Sequence, residues 1–413
     1  MKRAAIAVSI CLGVAPSAAF ALDWSLRSTQ SETVELNDNQ FLRTSPAGSV
    51  GSYSTITTNA EALTPTSKFD FDADGTYKKY WGPGADDTAS EYLNYGFKGH
   101  YEETGKDKFN REFVEASWRQ QSTALALLND LGVVTNASGF LDRLTATGGI
   151  DRSLTALDSL SLLATSTFTS YEPSSGGISF TDTLGRANWQ HRLSSITALT
   201  ASSEAELLNF DNASNTRIQI YREQVGIQAT LSPLLSFRGT IGAAYLITDG
   251  GVSTLTPIGT NGISSSTSST DADWIGDAVL TYKMLKSTTL TLLANQTIGP
   301  SVVGSLFKRD SVSAGLSHTI NARSTLSFST GWNRQISTTT TDYVSTSVTY
   351  GYNFTREWTA QLTYRYLHRF ASSGTTIFDP ITGTPTVSGT GPADSNSIML
   401  VVSRSNTLLP HGN

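Results

Sequence analysis

The stretch from Asp342 to Phe370 constrains the chain more than any other. Read with a period of two, it separates into two faces. Val344, Val348, Tyr350, Tyr352 and Phe354 share one face, while Ser345, Ser347, Thr349, Gly351 and Asn353 share the other. After a tight turn at Thr355–Arg356, Trp358, Ala360, Leu362, Tyr364 and Tyr366 alternate with Thr359, Gln361, Thr363, Arg365 and Arg369. Such alternation marks β-strands with one apolar and one polar face. The polar set holds guanidiniums and must meet water. The apolar set carries aromatics at both ends, Trp358 near one and Tyr366 and Phe370 near the other. Trp358 and Tyr366 lie eight residues apart, roughly 26 Å along a strand and about 20 Å along a membrane normal at a tilt near 40°. That is the separation of two aromatic girdles flanking a lipid-facing band. The pattern predicts a transmembrane β-barrel.

The N-terminus fits an exported protein. Lys2 and Arg3 form a short basic region, Ala4 to Val14 an apolar core, and Ala19-Phe20-Ala21 a small-x-small cleavage site. A signal peptide over residues 1–21 is expected, cut before Leu22. The single cysteine, Cys11, falls inside that core, so the mature chain has no disulfide, Cys-ligated zinc or thiol nucleophile. No segment approaches ~18 consecutive apolar residues, which excludes helical spans. Without Lys2 and Arg3 the chain holds 27 basic and 35 acidic residues, a formal charge of −8. That balance argues against a nucleic-acid partner.

A strand–turn–strand unit recurs along the chain. Trp189 to Thr200 and Leu316 to Phe328 are two copies, with others at Val225 to Gly239, Leu280 to Leu292 and Val348 to Leu362. Weaker copies centre on Pro65, Gly105 and Thr155. The turn centres fall near 65, 105, 155, 194, 233, 287, 322 and 356, mostly about 34 to 40 residues apart, enough for two strands and one loop. Propeller blades would need four strands per unit and a shared apolar core. Eight short turns plus both termini give nine hairpins, hence an all-β, up-and-down antiparallel barrel of 18 strands. Sixteen is the fallback if the first hairpin, Asp23 to Leu63, does not form. Short periplasmic turns should face long extracellular loops, the latter at Asn37 to Val50, Thr123 to Gly139, Asp249 to Asp271 and Ser372 to Ala393.

Asp70-Phe71-Asp72-Ala73-Asp74-Gly75 opens like a calcium loop, but the twelfth position is Trp81 rather than an acid. Because Phe69, Phe71, Ala73 and Tyr77 alternate with Asp70, Asp72 and Asp74, a strand with its carboxylates toward the lumen is the better reading, and no metal site is expected. Lys98 with His100, Arg186, Arg192, Arg238, Lys283, Arg365 and Arg369 belong by alternation to the same lining. Acids and bases on different walls would set up a transverse field and an ion preference. His191 and His318 hold equivalent places in the repeat, taken by Tyr282 and Tyr352 in other copies. An interfacial girdle accounts for all four, together with Trp358, Tyr366 and Phe370. A catalytic histidine would need a nucleophile and an orienting acid beside it, and no serine stands out, so no catalytic residue is nominated.

On its leader, its cysteine-free mature chain and repeats such as Trp189 to Thr200 and Leu316 to Phe328, the chain resembles bacterial outer-membrane β-barrels. Among these it resembles the β-barrel porin 2 family, some members of which are associated with exopolysaccharide export. The resemblance covers most of the mature chain and carries over no catalytic motif. It departs at the C-terminus, where Ser397 to Ser403 is the last strand in the pattern and no terminal aromatic follows. The expected layout is a barrel over 22–405 and a short tail over 406–413. A barrel this wide holds an aqueous lumen. The expected function is therefore passive diffusion of small hydrophilic solutes or ions through the outer membrane, without enzyme activity or cofactor. The alternatives are a conduit for polysaccharide export and a non-conducting surface or adhesion barrel. The expected partners are outer-membrane lipid and the solute or polysaccharide; the pattern does not set an oligomeric state.

Overall fold

The short turns share one side-chain device. In Leu154–Asp158, Leu193–Thr197 and Phe354–Trp358, a Ser or Thr sits just after the last apolar residue. Its hydroxyl accepts backbone N–H groups two and three positions on: Thr155 from Leu157 (3.1 Å) and Asp158 (2.9 Å), Ser194 from Ile196 (3.2 Å) and Thr197 (3.1 Å), Thr355 from Glu357 (3.2 Å) and Trp358 (3.0 Å). Asn321 does the same for Arg323 and Ser324. Donors left unpaired by the turn are thereby satisfied locally, which fixes where each hairpin reverses.

A computed structural model describes residues 23–85, 90–105, 110–123, 139–172, 177–213, 215–250, 268–300, 306–336, 340–371, 376–378, 385–387 and 391–409. Residues 1–21, read from the sequence as a signal peptide, lie outside them. The strands are β1 Asp23–Asn37, β2 Ser49–Leu63, β3 Ser67–Trp81, β4 Glu91–Thr104, β5 Arg111–Ser122 and β6 Phe140–Ser153. They continue as β7 Asp158–Tyr171, β8 Phe180–Arg192, β9 Thr197–Phe210, β10 Arg217–Ser232, β11 Leu235–Asp249 and β12 Ser268–Leu285. The last are β13 Thr288–Pro300, β14 Leu306–Asn321, β15 Ser324–Ile336, β16 Thr340–Asn353, β17 Trp358–Arg369, the short β18 Thr376–Phe378 and β19 Pro385–Val387, and β20 Ala393–Leu409. Except for the separate β18–β19 hairpin, every strand pairs antiparallel with its neighbours in sequence, and β20 pairs with β1 from Leu26↔Leu409 to Asn37↔Ser397. The result is a closed barrel of 18 strands. Closure leaves no free edge at the join. The first hairpin forms in full register, Asp23↔Leu63 to Asn37↔Ser49, so the 16-strand fallback does not apply.

All eight expected turns occur at one end, the short-turn end. The Asn37–Val50 loop lies at the other, the loop end; the loops expected over Thr123–Gly139, Asp249–Asp271 and Ser372–Ala393 fall mostly outside the described residues, and three further strand-to-strand spacings at that end are short, 211–216, 301–305 and 337–339. The closing strand is longer than Ser397–Ser403, running on through Asn406 to Leu409, because β1 and β17 both offer it partners.

Alternation assigns the faces. Val34, Ile56, Val114, Leu162, Val225, Ile241, Val312, Leu362 and Leu400 are exposed and share one parity of their strands. The other parity carries pairs that reach across an intervening strand, Arg119 to Asp74 over β4 and Arg365 to Glu35 over β20. Side chains converge like this on the concave side, so this is the inner face. Polar groups interrupt the outer face, as where Glu32 of β1 lies opposite Ser54 of β2 and where Ser203 of β9 donates to Glu223 of β10 at 2.6 Å. Ser54 Oγ donates to Glu32 Oε2 at 2.7 Å.

Candidate functional site

Each proposed lining residue lies on the inner parity of its strand. The segment read against a calcium loop is β3 itself, so Asp70, Asp72 and Asp74 are spaced along a strand rather than folded round an ion. Asp70 meets Lys68 (3.2 Å), which also holds Glu61 (2.9 Å). Asp72 accepts from Asn59 Nδ2 (2.8 Å) and faces Lys98 (3.9 Å), whose amine is 3.7 Å from Glu115. Asp74 accepts from Arg119 (3.0 Å) across Gly96, where a Cβ would meet the Trp118 carbonyl at 2.8 Å. Arg186 Nε donates to Glu204 (2.6 Å), Arg238 lies 3.6 Å from Asp277, and Arg365 lies 3.7 Å from Glu35. Arg369 is buried and donates to the Gly391 carbonyl (3.2 Å). Arg192 and Lys283 are exposed near the short-turn end.

These contacts correct the idea of a transverse field. Acids and bases alternate on neighbouring strands of one wall, and most are within 4 Å of an opposite charge, so their fields largely cancel locally. From β13 to β17 the mid-strand inner face carries hydroxyls instead. Ser329 and Ser347 bond at 2.7 Å, Thr349 and Thr363 at 3.0 Å. The lining therefore interleaves paired ions with hydroxyl pairs, which also occur on β6–β7 as Thr145–Thr167 and Thr147–Thr165 at 3.2 Å each.

The lining is not polar throughout, as alternation alone implied. Toward the loop end, Leu208, Phe210, Ile218, Ile220, Leu246 and Ile275 point inward and form one buried cluster. Two elements enter the lumen there. The β1–β2 loop folds in so that Leu42 packs on Tyr343, Leu367 and Ala393, all on the inner parity. Asn39 anchors it: its Nδ2 donates to the Arg43 and Asp394 carbonyls and its Oδ1 accepts from Arg43 N, each at 2.8 Å. Leu42 itself sits in the left-handed region (φ 46°). The second element is the loop end of β13–β14, where Ile298 and Leu306 join the apolar cluster.

Beside the loop, Tyr53 bonds both Glu35 and the Tyr80 hydroxyl (2.7 Å), with the Lys78 amine 4.4 Å from the Tyr53 ring centre. Gly51 leaves room for this group, since a Cβ there would lie 2.7 Å from the Tyr80 ring. Sequence reasoning missed Glu35, Glu115, Arg119, Glu204, Glu206 and Arg222. The in-phase spacing of Glu204, Glu206 and their cross-strand partner Arg222 was the available signal.

The girdle candidates lie on the outer parity of their strands. His191 bonds Asp158 (2.8 Å) and stacks on Trp189, His318 bonds Thr288 (2.7 Å), and Tyr366 donates to Asp394 (2.6 Å). Tyr282, Trp358 and Phe370 are exposed, and Tyr352 meets Phe354 edge to face.

No protein-family profile and no curated protein matches the chain, so the resemblance to the β-barrel porin 2 family rests on the hairpin pattern alone. Among solved structures the chain is similar to OccAB4 of Acinetobacter baumannii, at 12% identity over 94% of this chain and 98% of that one, TM-score 0.45. It is similar to the ferric-catecholate import receptor Fiu of E. coli K12 at 11% identity over 92% and 81%, TM-score 0.46. For the copper transporter OprC the figures are 10%, 95%, 82% and 0.46. At such identity the likeness reaches no further than barrel architecture.

Proposed function

We propose that the chain is an outer-membrane channel through which small hydrophilic solutes or ions diffuse passively. One observation carries the reading: a closed 18-strand ladder has exposed apolar side chains on its outer face and paired ions and hydroxyls on its inner face. A ring of this size encloses more volume than its side chains fill. With β1 and β20 paired from Leu26↔Leu409 to Asn37↔Ser397, the outer face can sit in hydrocarbon while the lumen stays wet. Local pairing of the luminal charges favours weak rather than strong ion selectivity. Purified protein in planar bilayers should give discrete conductance steps, and proteoliposomes should admit small sugars faster than protein-free vesicles. Uptake no faster than the vesicle control rules the channel out.

A further inference from the structure

Alternation and burial disagree at the loop end of β13–β14. By parity Ile298 and Leu306 belong with Leu292, Ala294 and Val312 on the outer face. Both are only 5% exposed, however, and they pack among inward-facing Ile220, Leu246 and Ile275. The ladder shows how. β12 pairs with β13 from Leu285↔Thr288 to Gly276↔Gln296 and then stops, although β12 begins at Ser268 and β13 runs to Pro300. Beyond the stop, β13 stays paired with β14 as far as Pro300↔Leu306. The β13–β14 end therefore leaves the wall, bends into the lumen, and lays its outer face on the inner face of β10–β12. The Lys308 amine follows the same path, reaching inward-facing Asp273 at 2.6 Å.

Arg222 fastens this end. Its guanidinium is nearly buried and bonds Glu204 and Glu206, while Nη2 donates to the Ile298 carbonyl at 2.9 Å. A planar fork of five donors can serve two carboxylates and a carbonyl at once, which an ammonium cannot do in one geometry. Under the bent end lies a recess of about 670 Å³ bounded by Arg186, Glu204, Arg222, Arg238 and Asp277. Leu292, Ala294, Ile298, Leu306 and Val312, with Gln296, Lys308 and Asp310 between them on the same parity, would face outward in the other arrangement, in which β13 continues along β12 and the wall closes. Extending the register past Gly276↔Gln296 would set Trp274 opposite Ile298.

We propose that the β13–β14 end is a two-state element, that Arg222 pins it in the inturned state, and that this inturned end limits the size of what passes the lumen. The last part rests on the channel reading; the first two do not.

The test places cysteines at Trp274 and Ile298 in the mature chain, whose sequence offers no other cysteine outside the leader. Opposed strand positions that come within disulfide reach, about 4.4–6.8 Å between Cα atoms, can be bridged. With Arg222 present, mild oxidation should cross-link slowly. With Arg222→Gln added, cross-linking should speed about tenfold, as expected when a local opening becomes easier. The Arg222→Gln protein without added cysteines should conduct in steps about twofold larger and admit larger sugars. Equal cross-linking rates with and without Arg222 overturn the pin, and no cross-link in either overturns the second state. Cross-linking without any change in conductance overturns the size limit. If wild type and variant are both silent, the channel reading and the size limit fail together, while the cross-linking still decides the pin. Should Arg222→Gln not fold, Arg222→Lys replaces it, keeping the charge but not the three-way fork.

Discussion

Placing arginine at Leu362 and, separately, at its neighbour Thr363 tests the assignment of faces on which the channel reading depends. Leu362 is 49% exposed on the outer face and sits in register with Tyr350 and Leu400, both exposed on that face. It lies four residues from Trp358, about 13 Å along the strand and roughly 10 Å along the normal at a tilt near 40°. That is half the interval between the two aromatic ends, so the guanidinium would start near mid-depth. The cost there is about 2–4 kcal/mol, roughly a 30- to 700-fold loss in the folding constant. Thr363 faces inward and bonds the Thr349 hydroxyl at 3.0 Å. Arginine there loses one half-exposed hydrogen bond, about 0.5–1 kcal/mol, and meets water. Reversible guanidinium unfolding in thin phosphatidylcholine vesicles, followed by tryptophan fluorescence, should separate the variants by about 2 kcal/mol or more. Equal losses, or the greater loss at Thr363, would refute the faces.

Three further outcomes follow from named contacts. Lys98→Gln removes the cation between Asp72 and Glu115, so the reversal potential under a salt gradient should shift toward cations, by about twofold in permeability ratio; a shift toward anions contradicts the luminal placement. Asn39→Ala removes three hydrogen bonds from the inturned β1–β2 loop, worth about 1–3 kcal/mol locally. Protease should then cut within 38–48 faster while the barrel's unfolding midpoint stays unchanged; unchanged cleavage shows that the loop is held by something else. Glu32→Leu removes a carboxylate from the outer face of β1, where Ser54 donates to it. It should stabilise the barrel in vesicles by about 1 kcal/mol, and a loss of stability would show that this face does not meet acyl chains.

The strands and their turns were legible because each rests on local chemistry. Alternation fixes a face, and a Ser, Thr or Asn just past the last apolar residue fixes a reversal. The pairing of luminal charges was not legible, because Arg119 finds Asp74 only after the chain has closed two hairpins between them. The apolar patch inside the lumen is a different case. In β10, Val225 and Ile227 face outward while Ile218 and Ile220 face inward, so the apolar parity switches with no bulge between them. The switch falls at Tyr221, above which the outward positions are Gln219 and Arg217. The same inversion occurs in β9, where Asn209 faces out and Leu208 and Phe210 face in. On the channel reading, the outer face above Tyr221 meets water while the inner face has something to pack against, so the surroundings of the two sides are exchanged and the code reverses. On that reading, a change of phase within an otherwise regular strand marks where the wall would leave hydrocarbon and the lumen begins to fill. At Ile298 the phase does not change although the burial does, and there the strand pair itself has moved inward.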